Sequence, residues 1–185
     1  MFERYDYVVV PSGSCASMIK SHFPRLFNDG SGFRARAEAL GEKTHELTEF
    51  LSEVVKLEKL DVEYGRTVTY HDSCSGLREL KIHEQPRKMM QKVDGLRLKE
   101  MSDANVCCGF GGTFCVKYPD ISNDMVGKKT GNIARSGADV LLAGDLGCLL
   151  NMAGKLKREG VEIEVRHIAE VLAGETHTAP IGEGE

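Results

Sequence analysis

Short, uninterrupted apolar runs, each closed by a turn and followed by residues with helical periodicity, restrict the fold more than any other feature of this chain. Tyr7-Val8-Val9-Val10 is such a run, ending at Pro11-Ser12-Gly13. Thr67 to Tyr70 runs into His71-Asp72-Ser73-Cys74, and Ala138-Asp139-Val140-Leu141-Leu142-Ala143 precedes a further helical stretch. Leu96 to Met101 alternates like a short strand, and Val161 to Val165 adds another. Runs this short and this apolar suit strands covered on both faces. Helices are predicted from Cys15 to about Phe27, over Arg34–Val55, from Pro86, over Asp120–Arg135, from Leu146 through Leu156 and over His167–Leu172. Strands alternating with helices predict an α/β layer with a mostly parallel sheet.

An internal repeat refines this picture. Asp6-Tyr7-Val8-Val9-Val10-Pro11-Ser12-Gly13-Ser14-Cys15 aligns without a gap on Asp139-Val140-Leu141-Leu142-Ala143-Gly144-Asp145-Leu146-Gly147-Cys148. In both, an acidic residue opens a strand, small residues make the turn, and a cysteine begins a helix, so repetition competes with chance likeness between generic βα units. On the repeat, the chain is expected to begin inside the first of two similar units. Residues 1–30 would be its last βα element, with the boundary in the loop Asn28-Asp29-Gly30-Ser31-Gly32. Residues 31–60 would form a linking amphipathic helix carrying Leu40, Leu47, Phe50, Leu51, Val54 and Val55 on one face. Residues 61–173 would be a complete second domain, and 174–185, poor in apolar residues, a disordered tail.

The chemistry lies in the cysteines. Cys74 and Cys148 fall just beyond strands, and the loop Cys107-Cys108-Gly109-Phe110-Gly111-Gly112 follows a third. Functional residues of parallel sheets collect at the carboxyl ends of strands, so Cys74, Cys107, Cys108 and Cys148 are expected to converge there, on Rossmann-like βα units. Adjacent cysteines cannot ordinarily both face one core. Gly109, Gly111 and Gly112 would let the backbone wrap around a bulky inorganic group and present N–H groups to it. Cys148 at a helix start would sit by the positive end of the dipole, which favours thiolate ligation. The spacing permits an iron–sulfur cluster, a four-thiolate zinc site, or a metal-free thiol pair of Cys107 with Cys108 or Cys115, although adjacent cysteines close a strained ring. Cys115 reads otherwise as a small buried hydrophobe. His71 reads as a ligand, a proton donor, or a histidine simply hydrogen-bonded at a strand end.

Composition excludes several functions. The 185 residues carry a net charge of -4, which argues against a nucleic-acid surface. The mixed-charge stretch Arg78 to Lys99 reads as a solvated face or a docking surface for an acidic partner. No apolar run approaches the roughly 20 residues that span a bilayer. The N-terminus lacks the layout of a signal peptide, so the chain is expected to be cytoplasmic, where six cysteines serve metal or redox chemistry more readily than structural disulfides. Phe114 stands where the third glycine of a dinucleotide fingerprint belongs, and no phosphate-loop lysine follows.

With these residues in place, the chain resembles the CCG-domain (cysteine-rich domain) iron–sulfur oxidoreductase subunits. That group includes the B subunit of heterodisulfide reductase and the iron–sulfur subunits of glycolate oxidase and anaerobic glycerol-3-phosphate dehydrogenase. The likeness is nearest to the LutA/YkgE lactate-utilisation family. It is carried by Pro11–Met18, by Tyr70-His71-Asp72-Ser73-Cys74-Ser75-Gly76-Leu77-Arg78-Glu79-Leu80, by Cys107-Cys108-Gly109-Phe110-Gly111-Gly112-Thr113-Phe114, by Gly147-Cys148-Leu149 and by His167-Ile168-Ala169-Glu170. The resemblance implies an iron–sulfur cluster, of 4Fe-4S type, with zinc as the alternative metal. It further implies a cytoplasmic electron-transfer subunit, not catalytic alone, that works with other subunits, iron–sulfur partners among them, in oxidising L-lactate or a related 2-hydroxy acid to pyruvate. A thiol–disulfide catalyst like heterodisulfide reductase is the rival within the group. The chain departs from the group in two places. Asp145 stands where the heterodisulfide reductase subunit has the first cysteine of a Cys-x-x-Cys element, which brings an Asp145 oxygen or an open iron into consideration. Relatives also carry two such units, which would leave Cys15 a ligand without its companions.

Overall fold

The computed structural model describes residues 1–28 and 30–183. Strand β1 (Val8–Val10) leads through Ser12, whose Oγ accepts from the Cys15 backbone N–H, into helix α1 (Gly13–Ser17). The helix predicted to continue to Phe27 changes its winding, to a π turn at Met18–His22 and a 3-10 turn at Phe23–Leu26. Pro24 explains the break, since it has no N–H to continue the helical ladder. Helix α2 (Gly32–Glu42) starts on a Ser31 cap. Asp29, in the expected boundary loop, lies outside the described residues.

The single linking helix expected over residues 34–55 is not formed. After α2, Thr44–Glu46 is strand β2, parallel to β1 with Val8 opposite Thr44 and Val10 opposite Glu46. Glu46 then caps the short helix α3 (Leu47–Glu49), which widens into a π turn at Phe50–Val54. Helical periodicity on both sides of Thr44 was correctly legible; the demand of β1 for a backbone partner overrides it locally.

The larger layer follows in order: β3 (Thr67–His71), α4 (Cys74–Arg78), α5 (Glu84–Met90), β4 (Arg97–Leu98), α6 (Phe114–Lys117), α7 (Pro119–Ser136), β5 (Val140–Ala143), α8 (Leu146–Arg158), β6 (Glu164–His167) and α9 (Ile168–Ala173). Four strands form one wholly parallel sheet in the order β4-β3-β5-β6. The predicted α/β class with parallel βα units is therefore the observed one. Val140 and Leu142 face one core cluster with Met89, Met90, Ile168 and Val171. Leu141 and Ala143 face the other, with Ile133, Leu149, Met152 and Leu156. The two-residue alternation of β5 thus feeds both layers, which is why its sequence is apolar without interruption.

The repeat extends further than the sequence match. Ala143 lies opposite His167 in the β5–β6 pair, as Val10 lies opposite Glu46 in the β1–β2 pair. His167 and Glu46 each close a capping box, with Glu170 and Glu49 respectively. The tail expected to be disordered is tied down over its described part: Ile181 donates its N–H to the Val165 carbonyl at 2.9 Å, and the Arg166 Nη2 donates to the Thr178 carbonyl at 2.6 Å. Gly184 and Glu185 lie outside the described residues. No helix among the described residues is long and apolar enough to cross a membrane.

Candidate metal centre

The chain leaves β3 toward β4 on one side and then crosses back to β5 on the other, so the strand order reverses at the β3–β5 pair. A crevice opens at the carboxyl ends of strands at such a switch point. His71 closes β3 and lies opposite Ala143, the last residue of β5. Cys74 opens α4 behind a Ser73 cap, and Cys148 lies in the first turn of α8. The Cys107-Cys108 loop enters from beyond β4. The structure thus brings together the four cysteines singled out from the sequence. Cys74 and Cys107 are within hydrogen-bonding reach of each other, as are Cys107 with Cys108 and Cys108 with Cys148. The donor atoms of His71, Cys108 and Cys148 all lie within 4.8 Å of one another, and all three residues are buried.

Electrostatics favour a cation among these groups. The Cys107 thiol beside Cys74, and burial after it, raise the Cys74 thiol well above the usual range. For Cys108 the Cys107 contact lowers the pKa, but the Cys148 thiol and burial outweigh it and push it up to about 12. Thiols crowded in a dry crevice resist ionising one beside another, and a bound metal ion relieves that resistance. Burial, reinforced by the Lys129 ammonium, lowers the His71 pKa to about 3, so its ring is neutral. Neither His71 nitrogen makes a hydrogen bond of good geometry, the Ala104 carbonyl being the one backbone acceptor that favours its protonated form. Four thiols and a neutral imidazole make a donor set that fits a thiophilic metal or cluster.

The loop is held by contacts that the sequence did not single out. The Gly109 N–H donates to Cys107 Sγ at 3.4 Å, and the Ser122 hydroxyl and Asn151 Nδ2 donate to the carbonyls of Gly109 and Cys108, both at 2.9 Å. The Phe110 ring lies over Gly147, where any Cβ would fall 2.4 Å from it. Lys129, on α7, is 2% exposed, and its Nζ donates to the Asp103 carbonyl and, at 3.3 Å, to that of Ala104. Asn151 is foreshadowed by its position three residues after Cys148 on one helix face. Lys129 has no such signal, because a lysine in a polar-looking helix reads as solvated.

The remaining candidates sit elsewhere. Asp145 Oδ2 accepts from the Ser14 N–H at 3.0 Å and from Ser12 Oγ at 3.3 Å. It therefore joins α1 to α8. Cys15 is exposed. Cys115 is half-buried at the start of α6, and its thiol donates to the Gly112 carbonyl at 3.1 Å. Gly111 and Gly112 adopt the left-handed conformation that the turn requires and are exposed.

Parallel strands with a cysteine crevice at their switch point define a class, and residues 68–153 match the family described as CCG: Cysteine-rich domain. Over 171 residues the chain is 47% identical to Lactate utilization protein A of Geobacillus sp. (strain WCH70), the match spanning 92% of this chain and 71% of that one. It is 47% identical, with the same coverage, to Lactate utilization protein A of Shouchella clausii (strain KSM-K16). For Lactate utilization protein A of Lysinibacillus sphaericus (strain C3-41) the identity is 46%, spanning 92% and 75% of the two chains. The chain belongs to the lactate utilization protein A family.

Proposed function

We propose that this chain is the electron-relaying subunit of a cytoplasmic complex that oxidises L-lactate, or a related 2-hydroxy acid, to pyruvate. In this reading Cys74, Cys107, Cys108 and Cys148 hold an iron–sulfur cluster of 4Fe-4S type. The observation that carries it is the convergence of these thiols, drawn from three segments far apart in sequence, beside buried His71. Family membership supports lactate as the source of electrons. When bound, the cluster supplies one-electron transfer. The chain's own residues orient and shield: the Gly109 N–H steadies Cys107 Sγ, Asn151 and Ser122 fix the loop carbonyls, and Phe110 closes the loop onto α8. Hydride removal from the substrate is assigned to partner subunits, iron–sulfur partners among them. Residues 1–30 are read as the last βα element of a first CCG domain, and residues 61–173 as a complete second one.

Anaerobic reconstitution with iron and sulfide tests the proposal. Wild-type protein is expected to bind iron and acid-labile sulfide in near-equal amounts, and Cys108→Ser to lose both. A second reading, a structural zinc ion, draws on the compactness of the His71, Cys108 and Cys148 donors, which suits a single ion. Tight zinc uptake with no iron, and no EPR signal after reduction, would replace the first reading by the second.

A further inference from the structure

The geometry points to His71 as a direct ligand of the metal held by the cysteine crevice, beside Cys108 and Cys148. The inference rests on the proposed metal centre and names a donor within it. His71 is completely buried, at the end of a central strand, where Ala143 of β5 lies opposite it. A buried histidine normally donates from one ring nitrogen and accepts at the other, and leaving such a group without a partner costs about 1–3 kcal/mol. Here neither Nδ1 nor Nε2 makes a hydrogen bond of good geometry; the Ala104 carbonyl is the one backbone acceptor that favours the protonated ring, and a neutral imidazole that donates to it keeps its other nitrogen as an unshared acceptor. One ring nitrogen lies within 4.8 Å of both Cys108 Sγ and Cys148 Sγ. A metal ion between the three would satisfy the imidazole and neutralise the crowded thiols in one step.

Asp145 is drawn away from this role. Its Oδ2 is engaged by Ser14 and Ser12, across the junction between the two halves of the chain.

The test is pulsed EPR on the full chain reconstituted with iron and sulfide, in its paramagnetic redox state, with and without 15N-histidine. The expected result is a strong coupling from one metal-bound nitrogen that changes to the 15N pattern on labelling. It should vanish in His71→Ala and persist in Asp145→Ala. If the protein takes up zinc instead, X-ray absorption at the zinc edge is expected to show imidazole scattering at about 2.0–2.1 Å, lost in the same variant. Iron-loaded wild type without a bound-nitrogen coupling would overturn the inference while leaving the cysteine centre standing, as would an all-sulfur zinc shell. A chain that binds neither metal would overturn the centre itself. Should His71→Ala not fold, the labelling of wild type alone decides.

Discussion

At the scale of single residues, Gly109 shows how tightly the crevice depends on backbone. Its φ is +82°, and a Cβ there would lie 2.8 Å from the Ser122 carbonyl and 2.9 Å from Met125 Cβ. Gly109→Ala is expected to destabilise the protein by about 1–3 kcal/mol, read as a lower urea midpoint, and to reduce metal uptake because the Cys107 and Cys108 thiols flank the strained turn. An unchanged midpoint would show that the loop relaxes freely. Much of this was legible beforehand: two adjacent cysteines followed by glycines cannot pack as ordinary core, and their placement after a strand pointed to the crevice. The lack of a well-formed hydrogen bond at His71 was not legible, because a strand-end histidine has the same sequence signature whether or not a hydrogen bond awaits it. Nor was Lys129, whose burial depends on where the Asp103 and Ala104 carbonyls fall in space.

Among the elements, β2 and its cap carry the clearest prediction. Glu46 is 3% exposed, and its Oε2 accepts from the Thr48 N–H at 2.7 Å, the Thr48 hydroxyl at 2.6 Å and the Glu49 N–H at 3.1 Å. Burial outweighs these hydrogen bonds and raises its pKa. A carboxyl whose pKa is higher folded than unfolded contributes stability that is fully present below the unfolded value and is lost as pH rises through the folded one. Glu46→Gln retains an oxygen for the cap and removes the ionisation. Its unfolding free energy relative to wild type is therefore expected to increase as pH is raised from 4.5. Urea titrations at several pH values would measure this, and a constant difference would refute it. The strand itself escaped the sequence reading because Thr44-His45-Glu46 sits between two stretches of good helical period, and three residues are too few to show a period of their own. Of the larger sheet, β5 was legible because Val140-Leu141-Leu142-Ala143 is buried and apolar throughout, whereas β6, Glu164-Val165-Arg166-His167, is polar at all but one position and lies later than the expected Val161–Val165.

In the molecule as a whole, two βαβ arrangements of like register meet at Gly13, Gly76 and Asp145. A Cβ on Gly13 would stand 2.9 Å from Gly76 Cα, so α1 and α4 touch backbone to backbone. Asp145 adds the polar tie to Ser12 and Ser14. Asp145→Ala is expected to cost about 1.5–3 kcal/mol, the scale for hydrogen bonds to a charged group, and to leave metal content unchanged. Loss of metal without loss of stability would instead assign Asp145 to the centre. The repeat that the sequence announced in ten aligned residues is thus a matter of strand register and caps as well. What the one-dimensional match lacked was β2, whose kinship to β6 rests on geometry more than on residue identity.

The four cysteines of the crevice also differ in how far they are open to the outside: Cys108 and Cys148 are buried, while Cys74 and Cys107 are half-buried. To a small electrophile the centre therefore has a front and a back. Brief treatment of the metal-free protein with iodoacetamide, followed by peptide mass spectrometry, is expected to mark exposed Cys15 first, then Cys107, with Cys108 and Cys148 last. Uniform labelling would mean that the crevice opens on the timescale of the reagent. A front-to-back order gives any arriving metal or oxidant one direction of entry, from the side of Cys74 and Cys107.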